Sequence, residues 1–529
     1  MVSRVNAQTT YPTYQDLVLK ALTRFPERTA VVCGATRLTG RDLHRQVAAL
    51  MGYLRLNGID GSSRVALYGP NSSDYLAAQF AIAAIGATYT GLHPMASGPE
   101  IVQILDQLRP EVLVVAPGAD STVVEHIDAN LAESLPTRLL ALDASVLDGS
   151  DAASLADFSS SATIARSHPT ATASISFTGG TTGKPKGVVR SQSTMATAIL
   201  TMLSEWEWPI ELRFLTVAPL SHAAGLMSLP VLLRGGTVHI HAGFDVDEIH
   251  KTIAAERITA TFMVPTMIYR LLNEPEPTLG SLGDLELVLY GASAISPERL
   301  SEALGRWGQI FMQLYGQVEA PNCISVLRIG DHVTGDLDRL ASCGKPTAMV
   351  ELEIRGDDGS VLGPGQSGEI CVRGPLVMDG YLDDPENTAD ALRDGWLCTG
   401  DIGFRDDDGF VHIRDRRKDM IVSGGFNIFA GDVERALSTH SGVRESAVIG
   451  IPDADWGEAV IAYVVRRSTT NEQEPDAADL RKHVKTIKGT AWTPKQVYFV
   501  ESLPLTPLGK PDKKALRAPH WVNEGRGVR

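Results

Sequence analysis

Two periodicities of apolar and polar residues alternate along the first 150 residues of the chain. Apolar residues recur at helical spacing over 14–25 and 40–57, whereas 64–68 and 111–116 are short β-branched runs. Polar residues at 71–74 offer N-caps to the apolar stretch that follows, which we predict to be a helix succeeded by a strand. This alternation predicts an α/β fold in which helices cover a sheet.

The pattern changes further along the chain. The strand–helix rhythm returns over 212–318, and residues 349–413 become strand-like and rich in turn residues, which indicates a small β subdomain. A charged run at 414–419 then precedes a new strand–helix pattern. We therefore predict a large N-terminal α/β domain over 1–415 and a small C-terminal α+β domain over 416–529. A solvated turn inside one domain is the less favoured alternative.

Composition narrows the class of protein. With 43% hydrophobic and 21% charged residues, the chain is typical of a soluble globular protein. Its 63 acidic residues outnumber 48 basic ones, and the net charge of −15 argues against binding to nucleic acid or an anionic membrane. No apolar run is long enough for a membrane helix, and the N-terminus resembles no signal peptide. Five scattered cysteines without a C-x-x-C pair favour a cytoplasmic location.

A loop of glycines, threonines and two lysines follows a short strand-like run at 174–178. Such a loop, over 178–187, directs N–H groups, hydroxyls and ammonium groups toward one point, which suits a phosphate. It is not a Walker A loop, because Thr178 stands where the first glycine is needed and Pro185 where a magnesium-binding Ser or Thr is needed. An exposed Gly/Thr hairpin without a ligand stays open as the alternative.

Several further segments occur in a fixed order with this loop. They are P-L-S-H-A-A-G at 219–225, Y-G-A-S at 290–293, Q-L-Y-G-Q-V-E at 313–319, W-L-C-T-G-D at 396–401, the stretch 416–434, and P-L-T-P-L-G-K at 504–510. Together they resemble the adenylate-forming (AMP-binding) superfamily, which includes acyl-CoA synthetases, luciferases and the adenylation domains of peptide synthetases. The resemblance covers nearly the whole chain. It implies a C-terminal domain that is mobile between two half-reactions.

The resemblance implies an acid–thiol ligase that works in fatty acid metabolism. A fatty or aryl acid would react with ATP to give an acyl-adenylate and pyrophosphate, and CoA would then displace AMP. ATP, Mg²⁺ and CoA are therefore the expected cofactors and small-molecule partners. No nucleic acid or integral membrane segment is expected, and a homodimer stays open.

The resemblance also implies roles for individual residues. Lys510, Glu319 and His222 would be catalytic, with Glu319 also binding Mg²⁺ and Lys510 reaching the acyl carboxylate and the α-phosphate. The expected ATP-binding residues are Thr178, Gly180, Thr181, Thr182, Gly183, Lys186, Gly291, Ala292, Ser293, Gln313, Tyr315, Gly316, Asp401 and Arg416. Within this set Asp401 and Arg416 would bind the ribose, whereas Tyr315 and Gln313 would bind adenine.

The remaining roles concern CoA and the acid. Lys418 would be the hinge, and Gly424, Gly425 and Trp456 would lie near CoA, although core packing is at least as good an explanation for Trp456. The expected acid-pocket residues are His222, Met227, Tyr290, Ala292, Val318 and Cys323. They are mostly small or apolar, which suits a fatty or aryl acid, and no buried charge is evident that would bind a second polar group.

Departures from the family pattern leave alternatives open. Gly179 replaces a usual serine, and Val318 replaces a usual threonine whose lost contact is worth about 0.5–1.5 kcal/mol. These losses are small, so we predict an active enzyme. One alternative is a ligase that passes its acyl group to a carrier protein or an amine, and another is a catalytically silent adenylate-binding protein.

Overall fold

A computed structural model describes residues 12–134, 137–142, 165–178, 185–274, 283–423, 426–453, 456–467, 474–506 and 510–521. Its helices are α1 (Tyr14–Arg24), α2 (Gly40–Leu56), α3 (Ser73–Ile85), α4 (Gly98–Leu108), α5 (Ser121–Ser134), α6 (Gln192–Glu205), α7 (Ala223–Leu233), α8 (Val246–Glu256), α9 (Pro265–Leu272), α10 (Pro297–Trp307), α11 (Leu337–Leu340), α12 (Pro385–Ala391), α13 (Ala430–Ser438), α14 (Ala477–Lys488) and α15 (Lys513–Arg517).

The strands alternate with these helices in the N-terminal part and cluster in the later part. They are β1 (Thr29–Cys33), β2 (Thr36–Thr39), β3 (Arg64–Tyr68), β4 (Thr88–Gly91), β5 (Val112–Val115), β6 (Arg138–Ala141), β7 (Thr172–Thr178), β8 (Lys186–Ser191), β9 (Arg213–Thr216), β10 (Thr237–Ile240), β11 (Ala260–Met263), β12 (Leu287–Gly291), β13 (Phe311–Gln317), β14 (Ala320–Leu327), β15 (Lys345–Pro346), β16 (Glu351–Arg355), β17 (Gly368–Arg373), β18 (Gly380–Tyr381), β19 (Leu392–Arg393), β20 (Trp396–Arg405), β21 (Val411–Arg416), β22 (Ile421–Ser423), β23 (Phe426–Ile428), β24 (Val443–Asp453), β25 (Gly457–Arg466) and β26 (Gln496–Phe499).

Within the described residues, these strands form four sheets. Two are large, with the orders β15-β14-β13-β12-β11-β9-β10-β1-β2 and β18-β8-β7-β4-β3-β5-β6. A smaller sheet, β16-β17-β20-β19 with β21 on β20, confirms the β subdomain that the turn-rich pattern predicts. The last sheet, β23-β22-β25-β24 with β26 on β25, is covered by α13 and α14. The α/β fold with a C-terminal α+β part is therefore confirmed.

Local sequence explains where the first helices begin and end. Thr13 and Thr39 each form a capping box with an aspartate three residues on, and the Ser72 hydroxyl accepts from the Tyr75 N–H. Helix α3 ends at Gly86, whose φ of 89° is the left-handed conformation that glycine adopts at low cost. The helices predicted over 14–25 and 40–57, and the helix–strand pair predicted from 76 onward, are all present.

The largest core cluster joins the two large sheets. Helices α3 and α7 are buried on nearly every face, as expected for helices that are apolar all round. They pack with residues of β3 from one sheet and of β1, β10 and β12 from the other. Within the described part of the chain, no helix is both long and apolar enough to cross a bilayer.

Candidate active site

The predicted phosphate loop closes a β-hairpin. Strands β7 and β8 pair antiparallel from Thr172↔Ser191 to Thr178↔Lys186. The loop residues Gly179, Gly180, Thr181, Thr182 and Gly183 lie outside the described residues. Because a strand follows the loop, no helix N-terminus can receive the phosphate here as it does in a Walker A site. The structure thus agrees with the exclusion of a Walker A loop.

Tyr381 connects two of the predicted site residues. The Lys186 ammonium donates to Asn387 Oδ1 and lies 5.1 Å from the centre of the Tyr381 ring. The Tyr381 hydroxyl donates to Glu319 Oε1 at 2.9 Å. Burial, with the charge of Glu319, raises the pKa of Tyr381, so the phenol stays neutral. Lys186 and Glu319 are therefore brought together through a residue that the sequence analysis missed.

Glu319 is placed where a single metal-binding carboxylate is useful. It is half-buried in the turn between β13 and β14. Mg²⁺ takes one or two protein carboxylates and completes its shell with water and substrate phosphates, so a single half-buried carboxylate fits this ion. A second group, Glu369, Cys371 and Cys398, has ligand atoms within 4.8 Å of one another, but its thiols suit softer metals.

Asp401 is the centre of a hydrogen-bond network. The residue is 5% exposed, and its Oδ2 accepts from Tyr315 Oη and from Gln317 Nε2, each at 2.7 Å. Arg416, its partner across β20 and β21, has Nε at 3.4 Å from Oδ1. A carboxylate has about four acceptor positions, so capacity is left for a sugar hydroxyl. The structure thus brings together Asp401, Arg416 and Tyr315, and it adds Gln317.

The strand β13 holds both predicted adenine residues in the interior. Side chains alternate along a strand, so Gln313 and Tyr315 share a face. Tyr315 is 7% and Gln313 9% exposed. Gln313 Oε1 lies 3.4 Å from the Tyr290 hydroxyl. At Gly316 an added Cβ would lie 2.3 Å from the Asn322 nitrogen, so the backbone there admits only glycine.

The turn after β12 carries the other predicted nucleotide residues. An added Cβ at Gly291 would lie 2.3 Å from the Leu314 carbonyl oxygen. Ala292 has a φ of 67° and is exposed, whereas Ser293 is half-buried. A non-glycine residue in the left-handed region is strained, and such residues are concentrated at ligand sites. The turn is therefore a sharply shaped, accessible edge beside β13.

His222 lies at the start of α7 and is neutral. Its Nδ1 is 2.8 Å from the Ser221 hydroxyl, and its ring stands edge-on to His93 with the ring centres 5.1 Å apart. Burial lowers the pKa of His222 to about 4, and the nearby charges of His93 and Arg190 add to the shift. A neutral imidazole can orient a carboxylate but cannot neutralise it.

The predicted acid-pocket residues do not share one cluster. Met227 and Cys323 are fully buried in the cluster between the large sheets. Tyr290 lies in a different cluster, because β12 directs alternate side chains to opposite faces, and Val318 packs against a third. Their assignment to a common pocket stays a prediction.

The site residues predicted in the C-terminal part of the chain lie in different local structures. Lys510 precedes Pro511, which forms an isolated antiparallel bridge with Leu505, and the Lys510 carbonyl accepts from the Thr506 N–H at 2.7 Å. Lys418 lies in a 3₁₀ turn at Arg417–Asp419, and Gly424 and Gly425 lie outside the described residues. Trp456 is 42% exposed with the Lys495 ammonium 5.2 Å from its ring centre, so the core-packing explanation for Trp456 is wrong.

Arg190 is a buried charge that the sequence analysis did not single out. It lies on β8 and is 7% exposed. Its guanidinium donates to the Ser176 hydroxyl, and its Nε is buried without a hydrogen-bond partner. Val188 and Arg190 share a face of the strand because side chains alternate, and Val188 is also buried, so the burial of Arg190 follows from what packs on that face.

Comparisons with known proteins match nearly the whole chain. The family model of AMP-binding enzymes covers residues 18–382, and that of the AMP-binding enzyme C-terminal domain covers residues 432–510. A medium/long-chain-fatty-acid–CoA ligase of Mycobacterium tuberculosis is 40% identical over 98% of this chain and 92% of its own. A feruloyl-CoA synthase of an Amycolatopsis species is 36% identical over 92% of this chain and 94% of its own.

A solved structure extends the match to three dimensions. The amide bond synthetase of Marinactinospora thermotolerans superposes with a TM-score of 0.85 at 34% identity, covering 96% of this chain and all 100% of that chain. The similarity therefore includes both the N-terminal and the C-terminal parts of the chain.

Proposed function

We propose that this chain, which belongs to the AMP-binding, adenylate-forming enzymes and within them to the acyl- and aryl-CoA ligases, joins a fatty or aryl acid to CoA with ATP as the second substrate. Its homology to CoA ligases makes it an acid–thiol ligase. A carboxylate oxygen attacks the α-phosphorus, the bond to pyrophosphate breaks, and the CoA thiol later displaces AMP from the acyl-adenylate.

The Asp401 network is the observation that carries this proposal. The buried carboxylate is held in one orientation by three side chains. Tyr315 and Gln317 donate to its Oδ2, and the Arg416 guanidinium lies against its Oδ1. A carboxylate fixed in this way can accept hydrogen bonds from the two ribose hydroxyls of ATP, and its side chain loses no further conformational freedom when ATP binds. Tyr315 then lies beside the base that the ribose carries.

The phosphates would lie between the hairpin and Glu319. Lys186 supplies positive charge, and Glu319 would hold Mg²⁺, which when bound offsets negative charge on the phosphate oxygens. The Tyr381 hydroxyl orients the Glu319 carboxylate. Lys510 would place its ammonium beside the carboxylate and the α-phosphate, where a point charge stabilises the pentavalent transition state.

The C-terminal domain, proposed over 416–529, would serve both half-reactions. Rotation at Lys418 would withdraw Lys510 after adenylation and bring Gly424 and Gly425 toward the thiol. The exposed Trp456, with Lys495 against its ring, offers an aromatic and cationic surface for CoA. Because ATP and CoA are metabolites of the cell interior, we place the enzyme in the cytoplasm.

The acid would lie beyond His222, against apolar side chains. Met227 and Cys323 pack in the same buried cluster and offer no charge to a distant polar group. The similarity to a medium/long-chain fatty acid ligase and to a feruloyl-CoA synthase favours these two substrate classes. Val318 and Tyr290 pack in other clusters, so Met227 and Cys323 are the better candidates for the walls of such a pocket.

The test is acid-dependent ATP–pyrophosphate exchange across a panel of medium-chain, long-chain and hydroxycinnamic acids. We expect exchange with at least one acid class, followed by AMP release that CoA stimulates. No exchange with any acid would instead identify a silent adenylate-binding protein. Omitting magnesium and then restoring it, with Glu319→Gln as the comparison, tests the metal assignment separately.

A second candidate is an adenylate-forming ligase that passes the acyl group to an amine or a carrier-protein thiol. The full-length similarity to an amide bond synthetase favours this possibility. AMP release that is stimulated by an amine or a carrier protein, and not by CoA, would establish it. The adenylation step and its residues would be unchanged.

A further inference from the structure

Arg190 is a buried cation with an incomplete set of partners. The residue is 7% exposed and lies on β8, four residues beyond Lys186. Its Nη2 donates to the Ser176 hydroxyl on the neighbouring strand, and its Nε is buried with no hydrogen-bond partner. Burying a guanidinium is costly unless an anion or several acceptors replace its hydration.

The surroundings of Arg190 supply no neutralising charge at contact distance. Among the described residues, no carboxylate lies within 4.0 Å of its guanidinium nitrogens. Tyr14 and Tyr89 lie nearby, but burial raises the pKa of Tyr14 to about 12 and that of Tyr89 further, so both phenols are neutral. Burial lowers the pKa of Arg190 to about 10, which still leaves it charged at neutral pH.

Arg190 interacts electrostatically with two residues of the candidate active site. Its charge acts on His222, and the charge of Glu319 acts on it in turn. Tyr89 lies close to the same region, because its hydroxyl is 3.0 Å from Tyr75 Oη and a Cβ at Gly91 would meet both Tyr89 Oη and the Ser221 carbonyl. The guanidinium thus belongs to a buried polar region that includes Tyr89, and its charge reaches His222.

We propose that Arg190 binds the carboxylate of the acid substrate before adenylation. The inference rests on the proposed function, because that reaction brings an anion to His222. His222 is neutral and Glu319 is negative, so neither offsets the charge of a free carboxylate there. A guanidinium fixed in the N-terminal domain offers two parallel N–H groups to it, in addition to the ammonium of Lys510 from the C-terminal domain. Once the acyl-adenylate forms, that carboxylate charge no longer exists, so Arg190 acts mainly on the free acid.

The test separates binding of the free acid from binding of the adenylate. In Arg190→Gln we expect the KM for the acid in pyrophosphate exchange to rise by about tenfold or more, the loss typical of a charged hydrogen-bond partner. We expect the KM for ATP to change little. Affinity for an acyl-sulfamoyl adenosine, which mimics the adenylate and has no free carboxylate, should also change little.

Two further variants distinguish the loss of the positive charge from a purely structural effect. Arg190→Lys keeps the charge and should restore part of the acid affinity, whereas Ser176→Ala removes only the neighbouring hydroxyl and should have a smaller effect. Equal weakening of acid and adenylate mimic, or no change in either, would overturn the assignment. A loss confined to acids with a second polar group would also overturn it, because the anchor would then be remote from the reacting carboxylate.

The proposed function is checked first in the wild-type enzyme. If no acid in the panel supports exchange, the proposed function fails and the role of Arg190 fails with it. If the wild type exchanges and Arg190→Gln matches it in the KM for the acid, only the role of Arg190 fails.

Discussion

The Tyr315 hydroxyl donates a hydrogen bond to Asp401 Oδ2 at 2.7 Å, across 86 residues of chain. Tyr315 belongs to one of the large sheets and Asp401 to the small sheet of the β subdomain. Burial and the charge of Asp401 raise the pKa of Tyr315, so the phenol keeps its proton and remains a donor. The bond therefore fixes the β subdomain to the strand that carries the predicted adenine residues.

Asp401→Asn tests the predicted ribose contact. Losing the negative charge should weaken the hydrogen bonds from the ribose hydroxyls, and we expect the KM for ATP to rise by roughly tenfold to a hundredfold. Tyr315→Phe is the comparison, because it removes one donor and leaves the carboxylate, so its effect should be smaller. Pyrophosphate exchange at varied ATP measures both, and an unchanged KM for ATP in Asp401→Asn would contradict the role.

Lys510→Ala tests the division of labour between the two half-reactions. We expect adenylation to fall by about two orders of magnitude or more, as for a lost electrostatic group in a transition state, while CoA still reacts with preformed acyl-adenylate. Lys514→Ala is a matched control, because Lys514 is exposed on α15 close by. Equal loss in both half-reactions would argue against a domain rotation that withdraws Lys510.

His332 makes stability depend on pH. It is fully buried, with Nδ1 2.7 Å from the Arg328 carbonyl and Nε2 2.9 Å from the Tyr290 hydroxyl. The carbonyl can only accept, so Nδ1 carries a proton, and burial disfavours a second proton on Nε2. Burial lowers the pKa of His332 from 6.5 to about 4. At pH values between these two, the imidazole is protonated in the unfolded chain but not in the folded protein.

Stability should therefore fall as the pH drops from 6.5 toward 4, and His332 should add no pH dependence well above 6.5. The cost from this residue is about 2 kcal/mol at pH 5. His332→Gln should be less stable at pH 7 but should lose less between pH 7 and pH 5, as measured by urea unfolding. An identical pH dependence in both proteins would refute the assignment. His222 and His239, whose pKa values burial also lowers to about 4, are unchanged in the variant, so it keeps their contribution to the pH dependence of stability.

Arg517 ties the last helix to the predicted hinge segment. Its Nη1 lies 2.9 Å from Asp419 Oδ1, and the two side chains are only 11% and 17% exposed. Arg517→Met should lower the free energy of unfolding by about 1.5–3 kcal/mol, because a charged hydrogen bond is lost in a largely desolvated site. Lys514→Met on the same helix should change it by less than about 0.5 kcal/mol. Urea unfolding of the full chain measures the difference in free energy. The rate of protease cleavage near the hinge, compared between the two variants, is a second measurement.

Local patterns explain why the elements were predictable. A helix such as Tyr14–Arg24 is determined by the spacing of its own apolar residues and by a cap at Thr13. The same holds for β3 and for the strands and helix after the charged run. The sequence also suggested roles for residues such as Asp401 and Lys510, because they stand in short motifs that resemble those of the family.

Partnerships between distant segments were not predictable. Nothing in the sequence near Glu319 indicates Tyr381, because their contact depends on β18 pairing with β8. Cys371 and Cys398 are scattered in sequence, yet they are opposite each other on β17 and β20 with their sulfurs 3.7 Å apart. Strand pairing is set by the whole sheet, so one segment cannot reveal its partner.

The sequence by itself determined the family and the α/β class and predicted the reacting groups, since these depend on local periodicity and on motifs in a fixed order. Only the tertiary structure decided that Asp401 is held by Tyr315 and Gln317, and that the proposed acid-pocket residues fall in separate clusters. The burial of Arg190 is likewise a result of the tertiary structure alone. Whether an arginine on a strand meets water or the interior depends on what packs on that face, and packing is a property of the whole chain.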